Sequence, residues 1–261
     1  STLTSKVDVD VWGRAVFNTH YDTALQAQEF MSYLVDDTEE ELNFNPREAR
    51  LGLAASHADG DWTYRAVLEL DFYGANASNN LLPRLRLGYA EARSAGGWTI
   101  RGGQDWVPVA QLHPGTLDFG CLSWAGNLWH RTPQLTVRHR TGDWELLAGA
   151  LKHRISNAQE QQEIMPWMVG RVAGHDVLGA GSLVALGGGY RSVTVADADY
   201  SPYLVAGELV LPLGDLFTLT AEAYLGEGVG REFVHHGFDY NPEHPEGALA
   251  IASLGGFASL R

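Results

Sequence analysis

The stretch Trp62-Thr63-Tyr64-Arg65-Ala66-Val67-Leu68-Glu69-Leu70-Asp71-Phe72 changes between apolar and polar side chains at almost every residue. A period of two is that of an extended strand, whose successive side chains point to opposite faces. The even-numbered residues then form one apolar face, and Arg65, Glu69 and Asp71 lie on the other. Such a strand belongs either to a soluble sheet with its apolar face inside or to a membrane barrel with that face toward lipid.

Similar alternation recurs along the 261 residues and predicts an all-β chain with 12 strands in an antiparallel meander. A helical period of 3.6 residues is hard to find, and the best helical candidate is Ala24–Val35. The other alternating segments are predicted to place on opposite faces Val7, Val9, Val11, Ala15 and Phe17 against Asp8, Asp10, Trp12 and Arg14; Leu85, Leu87 and Tyr89 against Arg84, Arg86 and Gly88; Leu135 and Val137 against Gln134, Thr136, Arg138 and Arg140; and Phe217, Leu219, Ala221, Ala223 and Leu225 against Thr218, Thr220, Glu222 and Tyr224.

The connections between these segments are short and long in turn. In an up-and-down barrel, this regularity collects the tight turns at one end and the long loops at the other, as in outer-membrane barrels. Together with the uniform apolar face, it favours a transmembrane β-barrel over a soluble sandwich. Short turns are predicted at His57–Asp61, Ser94–Gly97, Thr141–Asp143, Gly174–Gly181 and Pro212–Asp215, and long loops at Asn18–Asn45, Tyr73–Pro83, Val107–Arg131, Ile155–Met165, Ser192–Pro202 and Gly226–Gly247.

Three of the short turns run directly into a tryptophan, and a fourth is followed by a phenylalanine. Glycine and aspartate in these turns suit tight hairpins, so the aromatic residues begin rising strands at one height. In a membrane barrel they would form an interfacial girdle, whereas in a soluble protein they would close the end of the core. The predicted girdle residues are Trp62, Trp98, Trp144 and Phe217.

Composition limits the classes of partner. The formal net charge is −14 (18 Lys+Arg against 32 Asp+Glu), and so acidic a chain is a poor candidate for binding nucleic acid. No apolar stretch is long enough for a membrane helix. The single cysteine, Cys121, excludes an internal disulfide and a cysteine-based zinc cluster. Lys6 and Lys152 are the only lysines, and arginine is the cation suited to confined, oriented sites.

If the polar face lines the lumen, eight arginines of the first six strands point into it and occupy one side of the wall. A lipid-facing arginine would cost about 2–4 kcal/mol near the midplane, so their common parity supports this orientation. Grouped guanidinium groups attract anions and align carboxylates. Alternatively, individual arginines are structural, as in a pairing of Arg65 with Glu69 or Asp71. The predicted pore-lining and anion-binding residues are Arg14, Arg50, Arg65, Arg84, Arg86, Arg101, Arg138 and Arg140.

The segment Val107–Arg131 is the longest connection in mid-chain and is rich in proline, glycine and aromatic residues. So apolar a loop is expected to fold into the barrel and narrow it rather than extend into water. Cys121 lies within it, either as a small buried hydrophobe or as a reactive thiol. The predicted constriction residues are His113, Asp118, Phe119 and Trp124.

Catalytic and metal-binding patterns are weak in this sequence. His235, His236 and His244 share a loop with acidic residues, but their spacing fits no common metal site, so we predict no metal and no cofactor. There is no Gly-x-Ser-x-Gly elbow and no nucleotide-binding glycine motif with a following helix. The chain is therefore not predicted to be an enzyme, and no catalytic residue is assigned.

Several short motifs carry a family resemblance: Arg84-Leu85-Arg86 leading to Ala90-Glu91, Gly103-Gln104-Asp105-Trp106, Asn127-Leu128-Trp129, Arg131-Thr132-Pro133-Gln134, Glu222-Ala223-Tyr224-Leu225-Gly226 and Gly255-Gly256-Phe257. Through them most of the chain resembles the DcaP-like porins, trimeric outer-membrane channels of Gram-negative bacteria. The resemblance implies a 16-stranded barrel, a homotrimer and uptake of small anionic solutes such as dicarboxylates. That family usually has an N-terminal helical segment and a closing strand with a terminal aromatic residue, whereas this chain starts almost on a strand and stops at Leu260-Arg261.

We therefore expect residues 1–261 to form a single outer-membrane β-barrel domain, either a genuine 12-stranded barrel or one that lacks its C-terminal strands. The expected function is passive diffusion of small hydrophilic solutes, with a preference for anions such as carboxylates. The expected partners are the lipid bilayer, lipopolysaccharide and further copies of the chain in a homotrimer, but not nucleic acid. The alternatives are a structural or partner-binding barrel with a plugged lumen and a barrel enzyme that hydrolyses lipids.

Overall fold

The computed structural model describes residues 7–23, 40–74, 81–116, 126–153, 160–162, 165–195, 198–234, 239–241 and 249–261. The helical candidate Ala24–Val35 lies outside them. No helix in the described ranges is long and apolar enough to cross a bilayer, and the helical element they contain is a π-helical turn at Gly230–Val234. In chain order the strands are β1 Asp8–Arg14, β2 Asn18–Asp22, β3 Glu41–Asn45, β4 Arg50–Asp59, β5 Trp62–Asp71, β6 Arg84–Ser94, β7 Trp98–Trp106, β8 Arg131–Thr141, β9 Trp144–Leu151, β10 Glu160–Gln162, β11 Trp167–His175, β12 Leu183–Tyr190, β13 Val193–Val195, β14 Ala198–Tyr200, β15 Tyr203–Leu213, β16 Phe217–Glu227, β17 Tyr240–Asn241, β18 Leu249–Ala250 and β19 Ala252–Leu260.

Twelve of these strands form one continuous antiparallel sheet, which confirms the predicted all-β class, strand number and up-and-down connectivity. Their order is β1-β4-β5-β6-β7-β8-β9-β11-β12-β15-β16-β19, so each strand lies beside the next member of the set along the chain. Within the described residues, β1 and β19 each pair with one neighbour only. The family resemblance implied 16 strands, and this sheet has 12.

Tight turns and long connections alternate along the sheet, as predicted. At the turn end, Gly60 and Gly142 both have φ of 56°, the left-handed conformation that glycine adopts without steric cost. All five strands that precede a predicted short turn extend slightly further than predicted, to Asp59, Ser94, Thr141, His175 and Leu213. The long connections were predicted as loops, but they contain three small sheets: β2-β3, β10-β13-β14 and β17-β18.

One face of the large sheet is apolar and exposed, and we call it the outer face. Val9 and Val11 in β1 are 59% and 76% exposed, and Leu135 in β8 is 58% exposed. So extensive an apolar face is a liability in water, but it is the stable arrangement against hydrocarbon. The sheet is thus the wall of a transmembrane β-barrel, with its charged strand residues on the opposite, inner face.

The predicted alternation in β6 is wrong beyond Arg86, because a bulge shifts the register there. Glu69 pairs with Leu87 while the next residue, Leu70, pairs with Leu85, which leaves Arg86 as an extra residue. A bulge of this kind reverses the parity of every later side chain in the strand. Leu87 and Tyr89 therefore do not share the outer face with Leu85, and the Tyr89 ring lies on the inner face under Arg101, 4.3 Å from its guanidinium carbon.

The inner face is charged in β1 and β4–β8 but largely apolar in the later strands, which the sequence did not predict. There it forms one buried cluster with the connections after β7 and β16. Both faces of these strands are apolar, and this is why their sequences show weak alternation. The cluster consists of Val107, Val109, Ala110, Leu128, Leu151, Trp167, Val169, Leu204, Ala206, Tyr224, Val229, Phe233 and Val234.

Candidate functional site

The connection between β7 and β8, which we call the inserted loop, packs against the inner face. We call residues 107–116 its outgoing leg and residues 126–130 its returning leg. Val109 and Leu128, one from each leg, are both 0% exposed. They belong to the same buried cluster as Leu204 and Tyr224 of β15 and β16. Because three strands separate β8 from β15 in the sheet, the loop must cross the interior to reach them.

Two buried carboxylates accept backbone hydrogen bonds from the two legs. Glu208 Oε1 accepts from the amides of Gln111 (2.6 Å) and Leu112 (3.0 Å) on the outgoing leg. Glu222 Oε1 accepts from the amide of Leu128 (3.1 Å) on the returning leg. Backbone amides in an irregular segment need such acceptors wherever water is excluded.

Glycines provide the space in which the legs lie close to the wall. A Cβ at Gly187 in β12 would clash with the carbonyl group of Val109, and a Cβ at Gly126 would lie 2.6 Å from the carbonyl oxygen of Gly256 in β19. Gly126 has φ of 122°, which also disfavours any other residue. The loop therefore lies close against glycine backbone at two separate strands of the wall, β12 and β19.

Of the predicted constriction residues, the structure describes His113. Its ring lies 5.0 Å from that of Trp106, at the end of β7. Burial lowers the pKa of His113 below its ordinary value of 6.5, because the charged form is poorly solvated there. The other predicted constriction residues, Asp118, Phe119 and Trp124, lie outside the described ranges, as does Cys121.

Several predicted pore-lining arginines are held in ion pairs on the inner face, close to the long-loop end. Asp71, with a side chain that is 0% exposed, pairs with Arg84 at 2.7 Å and with Arg86 at 3.0 Å. Arg86 also reaches Glu69, at 2.7 Å. Arg14 pairs with Glu48. These arginines therefore have a structural role, which the sequence analysis gave as the alternative to anion binding.

A second group of arginines lies further toward the short turns. Arg101 pairs with Glu91 at 2.5 Å and also with Asp105, while Arg138 reaches Glu145 at 3.5 Å. Arg65 lies opposite Glu91, and Arg140 lies opposite Glu145, in the strand register. The predicted pairing of Arg65 with Glu69 or Asp71 does not form, since those two carboxylates pair with Arg84 and Arg86.

Four arginines of this wall form no ion pair among the described residues: Arg50, Arg65, Arg131 and Arg140. Arg131 was not predicted as a site residue. Its guanidinium carbon lies 4.8 Å from the Trp106 ring centroid and 5.5 Å from that of Trp129, so its binding partners are aromatic faces. In the described structure Arg131 Nη1 and Arg50 Nε are buried without a hydrogen-bond acceptor.

The arginines described above lie on the inner face of β1 and β4–β8, and we call this part of the sheet the arginine wall. A cavity of about 370 Å³ lies between the arginine wall and the outgoing leg of the inserted loop. Arg101, Asp105 and Arg138 line it from the wall. Gln111 and His113 line it from the loop. The cavity thus has one side with ion-paired guanidinium groups and one neutral, amide-bearing side, and both sides offer hydrogen-bond donors to a small polar solute.

Sequence reasoning assigned no role to the charged residues of the later strands that organise this arrangement, although it placed Glu222 on the polar face of its strand. Arg171 donates to Glu208 at 2.7 Å and to Glu145 at 3.3 Å, and its side chain is 3% exposed. With Glu208 and Glu222 it lies on the inner face of otherwise apolar strands. The sequence did contain a signal for these residues. Each is a single charged residue in the middle of an apolar strand, at a position whose side chain points inward.

The four predicted girdle residues occupy equivalent positions. Trp62, Trp98, Trp144 and Phe217 are the first residues of β5, β7, β9 and β16, each directly after a tight turn. Trp98, Trp144 and Phe217 are 49%, 52% and 52% exposed on the outer face. The geometry therefore puts four aromatic side chains at one end of the wall.

In the described ranges, no group of three or more His, Cys, Asp or Glu side chains could hold a metal ion. His235, His236 and His244 lie outside those ranges. The structure therefore tests no metal site at these histidines.

No protein-family model and no curated protein matches this sequence. In structure the chain is similar to the outer membrane channel DcaP of Acinetobacter baumannii, with a TM-score of 0.79 and 20% identity over 97% of this chain and 74% of that one. It is also similar to an anion-selective porin from Comamonas acidovorans, with a TM-score of 0.63 and 15% identity over 85% and 68% of the two chains. The chain has the fold of these outer-membrane channels, and at this level the predicted resemblance is confirmed.

Proposed function

We propose that this chain is a porin of the bacterial outer membrane, through which small hydrophilic solutes diffuse passively, with a preference for anions such as carboxylates. The observation that carries the proposal is the cavity between Arg101 and Arg138 on one side and the inserted loop on the other. Solutes crossing the barrel would pass along the arginine wall, because the loop and its apolar cluster occupy the side formed by the later strands.

The electrostatic argument rests on the arginines that have no carboxylate partner. An ion pair contributes little net electrostatic potential at a distance. The guanidinium groups of Arg50, Arg65, Arg131 and Arg140 form no ion pair among the described residues, so their positive charge is not offset in this way. In a narrow lumen with walls of low dielectric constant, such charges act over longer distances than in bulk water. They would favour entry of anions over cations although the whole chain has a formal charge of −14.

The surroundings of the barrel are part of the same proposal. The apolar outer face supports contact with the bilayer, and lipopolysaccharide would border the long-loop end. The homotrimer follows from the family resemblance alone. The two structural neighbours are channels rather than enzymes by their descriptions, which supports a non-catalytic role here.

A barrel with a plugged lumen is the second candidate, and the buried cluster favours it. Val109, Leu128 and Phe233 fill space on the inner face that would otherwise be open. Such a barrel would serve a structural or partner-binding role.

Liposome swelling separates these two functions. With the purified protein in the membrane, we expect small carboxylates to enter faster than neutral or cationic solutes of the same size. Swelling no faster than that of protein-free liposomes would contradict the porin proposal and support the plugged barrel.

A further inference from the structure

Glu208 and Glu222 are an unfavourable pair in isolation. They are direct partners in the register of β15 and β16, with both side chains on the inner face, and they are 4% and 2% exposed. Like charges opposite each other in a sheet are destabilising, and a buried carboxylate needs compensation. Arg171 compensates Glu208, at 2.7 Å, but no ion pair with Glu222 is found among the described residues.

The inserted loop supplies the remaining compensation. Glu208 Oε1 receives two successive amides, from Gln111 and Leu112, and Glu222 Oε1 receives the amide of Leu128. Hydrogen bonds are stronger where water is scarce, as it is around these buried carboxyl groups. The loop amides therefore stabilise the buried carboxyl groups, and the carboxyl groups in turn hold the loop against the wall.

We propose that Glu208 and Glu222 are positioning residues that clamp the two legs of the inserted loop and so fix the width of the channel. Glu208 holds the outgoing leg and Glu222 holds the returning leg. Both described legs are thus attached to the wall through these carboxyl groups. This inference rests on the proposed porin function, since it assigns to the clamp the control of channel width.

The matched control for the clamp is Glu145. It is a buried carboxylate on the same inner face, and it binds Arg171 at 3.3 Å. It pairs with Arg171 and Arg138 and forms no hydrogen bond or ion pair with the described legs of the loop. A variant at this position therefore disturbs Arg171 without removing an acceptor from the loop.

Amide hydrogen exchange tests the clamp directly. Leucine is close to glutamate in size but has no acceptor, so we would compare Glu208→Leu, Glu222→Leu and the double variant with Glu145→Leu. In the double variant we expect the amides of Gln111, Leu112 and Leu128 to exchange at least about tenfold faster, because they lose their acceptors. In Glu145→Leu these amides should stay protected. Unchanged protection in the double variant, or equal loss in the control, would overturn the clamp.

Conductance then tests the consequence for the channel. In planar bilayers the double leucine variant should give a larger and noisier open-channel current than Glu145→Leu, with the ion preference unchanged. If the amides of the double variant exchange faster but its open-channel current is unchanged, the clamp does not control the width of the channel. If the unsubstituted protein carries no current, the porin proposal fails, while the exchange result still decides whether the clamp exists. Should the leucine variants not fold, Glu208→Gln with Glu222→Gln keeps one neutral acceptor at each position, and an intermediate increase in exchange is expected.

Discussion

Arg86 and Asp71 form an ion pair on the inner face in which the Arg86 side chain is 3% exposed and the Asp71 side chain is 0% exposed, with 3.0 Å between Nη1 and Oδ2. Arg84 binds the same carboxylate at 2.7 Å. One acidic group thus holds two guanidinium groups in place at the long-loop end of the wall. The arginines of this wall are organised by a few shared carboxylates rather than paired one to one.

Replacement of Asp71 by asparagine should destabilise the barrel. Breaking a buried pair leaves an uncompensated charge and costs about 3–5 kcal/mol, and here Arg84 loses its carboxylate while Arg86 keeps only Glu69. We expect a loss of this order in the free energy of unfolding, measured by urea titration of the reconstituted protein with tryptophan fluorescence. Asp143→Asn, at an exposed turn position, is the control and should cost little. Equal stability of the two variants would show that Asp71 does not hold this cluster together.

The unpaired arginines at the long-loop end should contribute to ion preference through charge rather than shape. We expect Arg50→Gln with Arg131→Gln to lower the permeability ratio of chloride to potassium in planar bilayers. The matched variant, Arg50→Lys with Arg131→Lys, keeps both charges but loses the planar stacking on Trp106 and Trp129. It should keep most of the preference. A similar loss in the lysine and glutamine variants would argue for geometry instead of charge.

The aromatic residues at the turn end should lie at the level of the lipid headgroups. Brominated lipids quench tryptophan fluorescence at a depth set by the position of the bromine. We expect bromine near the headgroup to quench more strongly than bromine near the midplane, and Trp98→Phe with Trp144→Phe to remove most of that quenching. Trp167→Phe is the control, because Trp167 is 1% exposed and faces the interior. Stronger quenching from the midplane would contradict the girdle.

Gly187 should be required for the loop to lie against β12. A methyl group there meets the carbonyl group of Val109, so Gly187→Ala must push the outgoing leg away from the wall. We expect it to lower the free energy of unfolding by about 1–3 kcal/mol. Gly170→Ala is the matched control, because the nearest atom to its Cβ would be 3.7 Å away. If Gly170→Ala proves as costly, the effect comes from strand glycines in general and not from the loop.

His113 should make the stability of the folded protein depend on pH below neutrality. Its pKa is lowered by burial, so as the pH falls the unfolded chain takes up the proton first. The stabilisation is complete above about 6.5, the ordinary pKa, and it is lost as the pH falls from there toward the lower pKa of the folded state. We expect the urea midpoint to fall further between pH 7.5 and pH 5 in the unsubstituted protein than in His113→Gln. Identical changes in both proteins would assign the pH dependence to other groups.

Strand parity predicted the fold because the outer face must be apolar at every second residue whatever lies inside. Trp62–Phe72 shows this pattern at almost every residue, and Trp62–Asp71 of it forms β5. Where a bulge intervened, as at Arg86 in β6, the same rule failed, since one extra residue reverses the parity and leaves no mark in the sequence.

The inner face was only half predictable. In β4–β8 it faces polar surroundings, so Arg65, Arg84 and Arg101 could be assigned to it from their spacing. In β11–β16 the inner face packs against the inserted loop. Residues such as Val169 and Leu204 are apolar because they contact that loop, and strand periodicity does not reveal such a contact. Glu222 was placed on the polar face but given no role, and Glu208 was not identified, because their partners are backbone amides distant in sequence.

The reversal potential across a planar bilayer with a potassium chloride gradient is the most direct test of the central claim, that the arginine wall makes this barrel an anion-preferring channel. We predict a potential of the sign that indicates greater permeability for chloride than for potassium. Arg84→Ala combined with Arg138→Ala should move it toward the cation-selective value, because Asp71 and Glu145 each lose a cationic partner and add negative charge to the wall. A channel that prefers potassium, and whose reversal potential is the same in the double variant, would contradict the account.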